Sequence, residues 1–270
     1  MLKTRVITAL IGFIIAIIAI TLGGYWFSGL ILLLTLLGWH EYTGMMRKLD
    51  MKLPEAWGFI FTAIIMTSLV FHQYKWALIS SVGAVMLLSI IYIFSSRRIT
   101  IDVLTYASFG FFYINGGFAA LLILRENSAY EFFSMPFTAP HMGELMVWLL
   151  LFCTWASDTF AYFAGRKWGK RRIVPRISPN KTLEGFIGGF IGCVFTAIVY
   201  SWITGIPVGL GAMIGLLTGI VAPLGDLFES KLKRHCHLKD SGVLLPGHGG
   251  VLDRFDSLLF AAPMILAYLL

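Results

Sequence analysis

The chain has 270 residues, 58% hydrophobic and only 13% charged, with a net charge of +7 and a mean hydropathy of +0.82. A water-soluble domain of this length needs far more charge to cover its surface, so the composition excludes one. The positive balance points to anionic lipid rather than nucleic acid, because the basic residues fall between apolar stretches.

A bilayer-crossing helix needs about 20 mostly apolar residues. Such stretches occur at 5–23, 26–45, 56–73, 76–95, 103–124, 145–166, 182–204, 207–231 and 251–270. The expected fold is therefore an all-α integral membrane protein of about nine transmembrane helices. It divides into residues 1–140, with about five spans, and 141–270, with about four spans and basic loops. The first stretch follows Lys3 and Arg5 and could pass for a signal peptide, but Leu22-Gly23-Gly24-Tyr25 is a poor cleavage site, so an uncleaved first helix is expected. On alternate sides of the spans, 19 of the 21 Lys and Arg residues collect on one face, leaving Lys75 and Arg125 on the other. By the positive-inside rule the N-terminus is cytoplasmic, and a polar cavity open to that side is expected.

The first half is mostly featureless. Glu41, beside His40 at the end of the second span, reads as an interfacial residue, with a role in a site as the alternative. Tyr113 and Asn115 are the polar exceptions in the fifth span. Residues 126–144, with two prolines and three glutamates, read as an external loop. The three cysteines, Cys153, Cys193 and Cys236, have no paired spacing and suggest neither disulfides nor a zinc site.

The second half differs. Gly185, Gly188, Gly189 and Gly192 form overlapping small-xxx-small pairs, continued by Gly211, Gly215 and Gly219. Such spacing lets helix backbones approach closely in lipid. It allows a homodimer without requiring one. Ionisable groups inside spans are costly and mark functional sites. Asp158 lies in the sixth span, with Tyr162 one turn on. Asp226 and Glu229 stand at i and i+3 in the eighth, on a face that Ser230 and Lys233 extend. Asp253 and Asp256 repeat the i, i+3 spacing in the ninth.

Two basic loops adjoin these carboxylates. The first runs Arg166-Lys167-Trp168-Gly169-Lys170-Arg171-Arg172, then Ser178-Pro179-Asn180-Lys181-Thr182-Leu183-Glu184-Gly185. Either Ser178 or Thr182 can cap the helix that follows. The second contains Lys231, Lys233, Arg234, Lys239 and Asp240, then Pro246-Gly247-His248-Gly249-Gly250. Glycines at a helix start let backbone N–H groups approach phosphate oxygens. Carboxylates beside Lys and Arg suit Mg²⁺ bridged to phosphates. No Walker A spacing exists, because Gly165 to Gly169-Lys170 is one residue short. His235-Cys236-His237 imitates a metal cluster but lacks matching partner ligands.

Ser230-x-Leu232-Lys233-Arg234, Lys239-Asp240-x-Gly242 and Pro246-x-His248-Gly249-Gly250-x-x-Asp253-Arg254-Phe255-Asp256 together resemble the signature of phosphatidate cytidylyltransferases (CDP-diacylglycerol synthases), without departure across its 27 positions. The block Ser178 to Gly185 is similar to a second motif of that family, whereas the N-terminal half agrees only in being apolar. The resemblance implies the reaction of CTP with phosphatidate to give CDP-diacylglycerol and pyrophosphate, in phospholipid biosynthesis at the cell (inner) membrane. It implies Mg²⁺ or another divalent cation held by Asp226 and Asp253, with Glu229 and Asp256 as further ligands. Lys233, Arg234, Lys239 and Arg254 would hold phosphates, with Asp240 in the same stretch. His248, Gly249 and Gly250 would line the phosphate loop, and Lys181 and Glu184 would join the site, Asp158 being a weaker candidate. The rivals are a CTP-dependent enzyme acting on another lipid phosphate and an ion-coupled transporter. The latter should place its charges near the bilayer midplane and show related repeats.

Overall fold

The computed structural model describes residues 2–94, 100–126, 141–175, 177–242, 244 and 249–270, with side chains from residue 7 onward. Among these residues there are nine helices: α1 (Leu2–Leu22), α2 (Gly24–Arg47), α3 (Glu55–Val70), α4 (Tyr74–Phe94), α5 (Ile101–Arg125), α6 (Met142–Trp168), α7 (Leu183–Thr204), α8 (Val208–His235) and α9 (Leu252–Leu269). They fall on the nine expected stretches. Helix α8 runs past the apolar stretch to His235, because Lys233, Arg234 and His235 are favourable in a last turn, where the carbonyl ends of the helix carry partial negative charge. The basic pair Arg97-Arg98 and most of the expected 126–144 loop lie outside the described residues.

Five helices, α4 to α8, are long and apolar enough to cross a membrane, with mean hydropathies from 1.3 to 2.3 over their best windows. In α4, α6 and α7 large apolar side chains face outward: Leu78, Ile93, Phe94, Phe163, Ile191 and Phe195 are all exposed. Trp76 near the start of α4, Trp168 at the end of α6 and Trp202 near the end of α7 are exposed as well. Apolar surface on this scale needs lipid around it, and tryptophans at helix ends suit the bilayer interface. The chain is a multi-pass membrane protein.

The contacts divide the chain into two units. The first comprises Met1–Ile123 and Cys236–Arg254. At its centre Trp39 of α2 is fully buried, stacked on Tyr42 with centroids 5.9 Å apart and packed edge-on against Phe111 at 6.2 Å. A buried indole or phenol needs an acceptor for its polar hydrogen. Trp39 Nε1 donates to the Glu55 carbonyl (3.0 Å), Trp57 Nε1 to that of Ala84 (3.0 Å), and the Tyr42 hydroxyl to that of Tyr106 (2.9 Å). These bonds join α2 to α3, α3 to α4, and α2 to α5. Asn115 donates to the Phe111 carbonyl one turn earlier (3.0 Å), a local backbone contact.

The second unit comprises Leu124–His235 and Phe255–Leu270. Its glycine stripes are used within the chain. Gly185, Gly188, Gly189 and Gly192 of α7 lie against Ala161, Ala164, Ser157 and Phe160 of α6, and Gly211, Gly215 and Gly219 of α8 lie against Ser201, Ala197 and Cys193 of α7. The three helices thus pack backbone to backbone, as small residues allow. The remainder of α9 lies on α8, with Phe228 and Phe260 5.2 Å apart. Pro223 in α8 and Pro263 in α9 remove backbone donors inside these helices.

Candidate active site

The end of α6 and the start of α7 frame the first basic loop. Thr182 is the N-cap of α7 and accepts from the Gly185 N–H (3.1 Å), which decides between the two capping candidates. The chain doubles back on itself there: Ile173 N–H donates to the Lys181 carbonyl (3.1 Å) and Leu183 N–H to that of Arg171 (2.8 Å). Glu184 closes the base of the loop. Its Oε2 accepts from the Lys170 and Arg171 amides at 3.0 and 3.2 Å. This carboxylate shapes the loop that presents Lys181. Arg166, by contrast, donates to the Tyr162 hydroxyl (3.1 Å) at the surface.

Lys181 reaches α8. Its Nζ pairs with Asp226 Oδ2, while Asp226 Oδ1 accepts from Ser230 Oγ one turn later (3.2 Å). On the same face Lys233 Nζ donates to Glu229 Oε2 (3.0 Å), and Glu229 is fully buried. Asp256 of α9 is close enough to Glu229, Asp226 and Lys233 to interact with their charges. The charges of Asp226, Asp256 and Lys181 also act on Asp158 of α6. Asp158 is open at the surface, unlike the buried aspartate expected from its place in the span. Tyr162 is exposed nearby on the same helix. The second unit therefore gathers four carboxylates and two lysines from α6, α8, α9 and the first basic loop.

A buried ion pair is costly to break from one side, because the remaining charge has lost its compensation. Lys233→Met should therefore destabilise the protein by about 3 kcal/mol, chiefly through Glu229, read as a lower unfolding midpoint in detergent.

In the first unit Asp253 has a different setting. Its Oδ2 accepts from the Ser241 amide (2.9 Å), the Ser241 hydroxyl (3.0 Å) and the Gly250 amide (2.8 Å). The Gly250 N–H, expected to face phosphate, is thus engaged by Asp253. Gly249 holds a left-handed backbone at φ 84°. Lys239, Asp240 and Arg254 are exposed here, and Arg234 is exposed at the end of α8. His248 lies outside the described residues. Cys236 is buried between exposed His235 and His237, and burial pushes its thiol up.

Glu41, read from the sequence as interfacial, is 5% exposed, and its partners lie some 200 residues away. Nothing in the local sequence signals them.

Among the described residues, no three His, Cys, Asp or Glu side chains form a ready-made metal cage. The donors nevertheless fit Mg²⁺. They are carboxylate oxygens, and Mg²⁺ is bound through one or two carboxylates, with water and substrate phosphates completing its shell. Asp226 and Asp256 offer carboxylate oxygens of that kind.

These features define a multi-pass helical membrane protein whose acidic helix face is matched by lysines from its own helix and from a basic loop. The profile of the cytidylyltransferase family matches residues 3–270, and the chain belongs to that family. It is 30% identical over 273 residues to the phosphatidate cytidylyltransferase of Bacillus subtilis, covering 98% of this chain and 96% of that one. The protein of the same name from Synechocystis is 34% identical over 281 residues, covering 97% and 94%. That of Thermotoga maritima is 46% identical over 129 residues, covering 45% and 48%.

Proposed function

We propose that this protein is a CTP:phosphatidate cytidylyltransferase of the cell membrane, forming CDP-diacylglycerol and pyrophosphate. One observation carries the reading. The Ser178–Gly185 block touches the acidic face of α8 through the Lys181–Asp226 pair, 45 positions apart in sequence, and Ser230, the first residue of the long signature, completes the contact.

The chemistry follows from the substrates. A phosphate oxygen of phosphatidate attacks the α-phosphorus of CTP; that P–O bond forms as the bond to the β-phosphate bridging oxygen breaks, and pyrophosphate leaves with the electron pair. The nucleophile is already anionic near neutral pH, so no dedicated base is required. The step needs alignment and neutralisation of charge. Asp226, with Glu229 and Asp256, would hold Mg²⁺, which would offset the triphosphate charge. Lys181 would exchange Asp226 for a phosphate oxygen as the nucleotide arrives. Lys233, Arg234, Lys239 and Arg254 supply further positive charge, and Asp240 and His248 lie in the same motif. The charge asymmetry supports a cytoplasmic N-terminus and a polar cavity open to cytosolic CTP, with the acyl chains left in the bilayer.

The test is incubation of purified protein with labelled CTP, Mg²⁺ and phosphatidate. Labelled CDP-diacylglycerol and stoichiometric pyrophosphate are expected, with turnover lost on chelation and restored by added Mg²⁺. Labelling of a polyprenol phosphate in place of phosphatidate would move the reading to another lipid phosphate. No labelling of any lipid phosphate would overturn it.

A further inference from the structure

Glu41 belongs to α2, in the half of the chain that carries none of the motif residues, yet its carboxylate is built into the segment preceding α9. Its Oε1 accepts from the Val251 amide (2.8 Å), and its Oε2 from the Leu252 amide (3.0 Å) and the Ser241 hydroxyl (3.1 Å). Val251 and Leu252 stand at the start of α9, where backbone N–H groups have no partner within the helix. A carboxylate there satisfies them and is favoured by the positive end of the helix. Both ends of the 241–251 segment are thereby tied to one side chain. Ser241 is tied a second time, through its amide and hydroxyl, to Asp253. The approach is so close that a Cβ at Gly250 would strike both Glu41 Oε2 and Ser241 Oγ.

We propose that Glu41 is a positioning residue for nucleotide binding. It holds Ser241 and the start of α9 together, and so fixes Asp253 and the adjoining Lys239 and Asp240 for the triphosphate. The inference rests on the CTP-dependent reading.

Glu41→Gln tests it. The glutamine keeps one carbonyl oxygen for two amides and turns its NH₂ toward the other. Loss of a charge-assisted bond of this kind should speed hydrogen exchange at Val251 and Leu252 about tenfold, and the KM for CTP should rise by about the same factor. The KM for phosphatidate should stay within about twofold, because protein that has merely lost folded fraction changes kcat and neither KM. Ser241→Ala, which removes the hydroxyl donor to Glu41 and Asp253, should shift exchange and the CTP KM in the same direction. The double variant should cost less than the sum of the two single variants, since they share the Ser241–Glu41 contact. Active wild-type protein with unchanged exchange in both variants, or with the two KM values moving together, would overturn the role of Glu41 alone. Wild-type protein that forms no CDP-diacylglycerol would overturn the enzymatic reading and, with it, the nucleotide role of Glu41.

Discussion

Asp226→Asn should lower CDP-diacylglycerol formation by at least about 100-fold, the scale on which one preorganised electrostatic group acts in a transition state. Asparagine keeps the shape and one acceptor oxygen, so the hydrogen bond from Ser230 can survive. What disappears is the negative charge paired with Lys181 and available to a divalent cation. The side chains of Lys181 and Asp226 are 29% and 30% exposed, respectively. A pair so open to solvent contributes at most about 1 kcal/mol to stability, so the unfolding midpoint should barely move. Turnover measured across a Mg²⁺ titration, alongside thermal unfolding in detergent, separates the two effects. Activity within threefold of wild type would remove Asp226 from the site.

A second large effect is expected at an uncharged position. Gly225 precedes Asp226 in α8 and faces the backbone of α9. A Cβ there would lie 2.6 Å from the Asp256 carbonyl oxygen, 3.0 Å from the Phe260 Cβ and 3.2 Å from the Ser257 Cα. Two of these atoms are backbone, which cannot swing aside. Gly225→Val should therefore push the helices apart, at about 1–3 kcal/mol for an overpacked contact. The activity loss should be larger than that stability cost suggests, because it moves Asp256 relative to Asp226 and Glu229. Displacement by about 1 Å at such a site can cost about 100-fold. Gly209, near the start of α8, has nothing within 4 Å of its would-be Cβ. Gly209→Ala should leave activity unchanged and stability unchanged or slightly raised, since alanine is the better helix former. Equal behaviour of the two variants in activity and unfolding assays would refute the close-contact argument.

The acidic face of α8 was legible because Asp226, Glu229, Ser230 and Lys233 recur at helical spacing, and local geometry dictates that such residues share a face. The partnership of Lys181 with Asp226 was not legible, since Lys181 lies in one motif block and Asp226 four residues before the other. The role of Glu184 was not, because its bonds run to backbone amides, which carry no residue identity. Asp253 is similar: its acceptor oxygen is occupied by Ser241 and Gly250, and nothing in an Asp-x-x-Asp spacing reveals that one aspartate organises a segment while the other meets a glutamate. The glycine stripes could have faced a second copy of the chain or the chain's own helices, and packing within the second unit uses them internally.

By itself the sequence determined the membrane character, the nine helices among the described residues and the family, because the bilayer imposes length and hydropathy on every span and the signature is contiguous. Only the tertiary structure decided which carboxylates meet which lysines, and that Glu41 serves a segment 200 residues away. The physical reason is the same in each case: a buried charge must find a partner, but its own neighbourhood in sequence does not say where in space that partner will be.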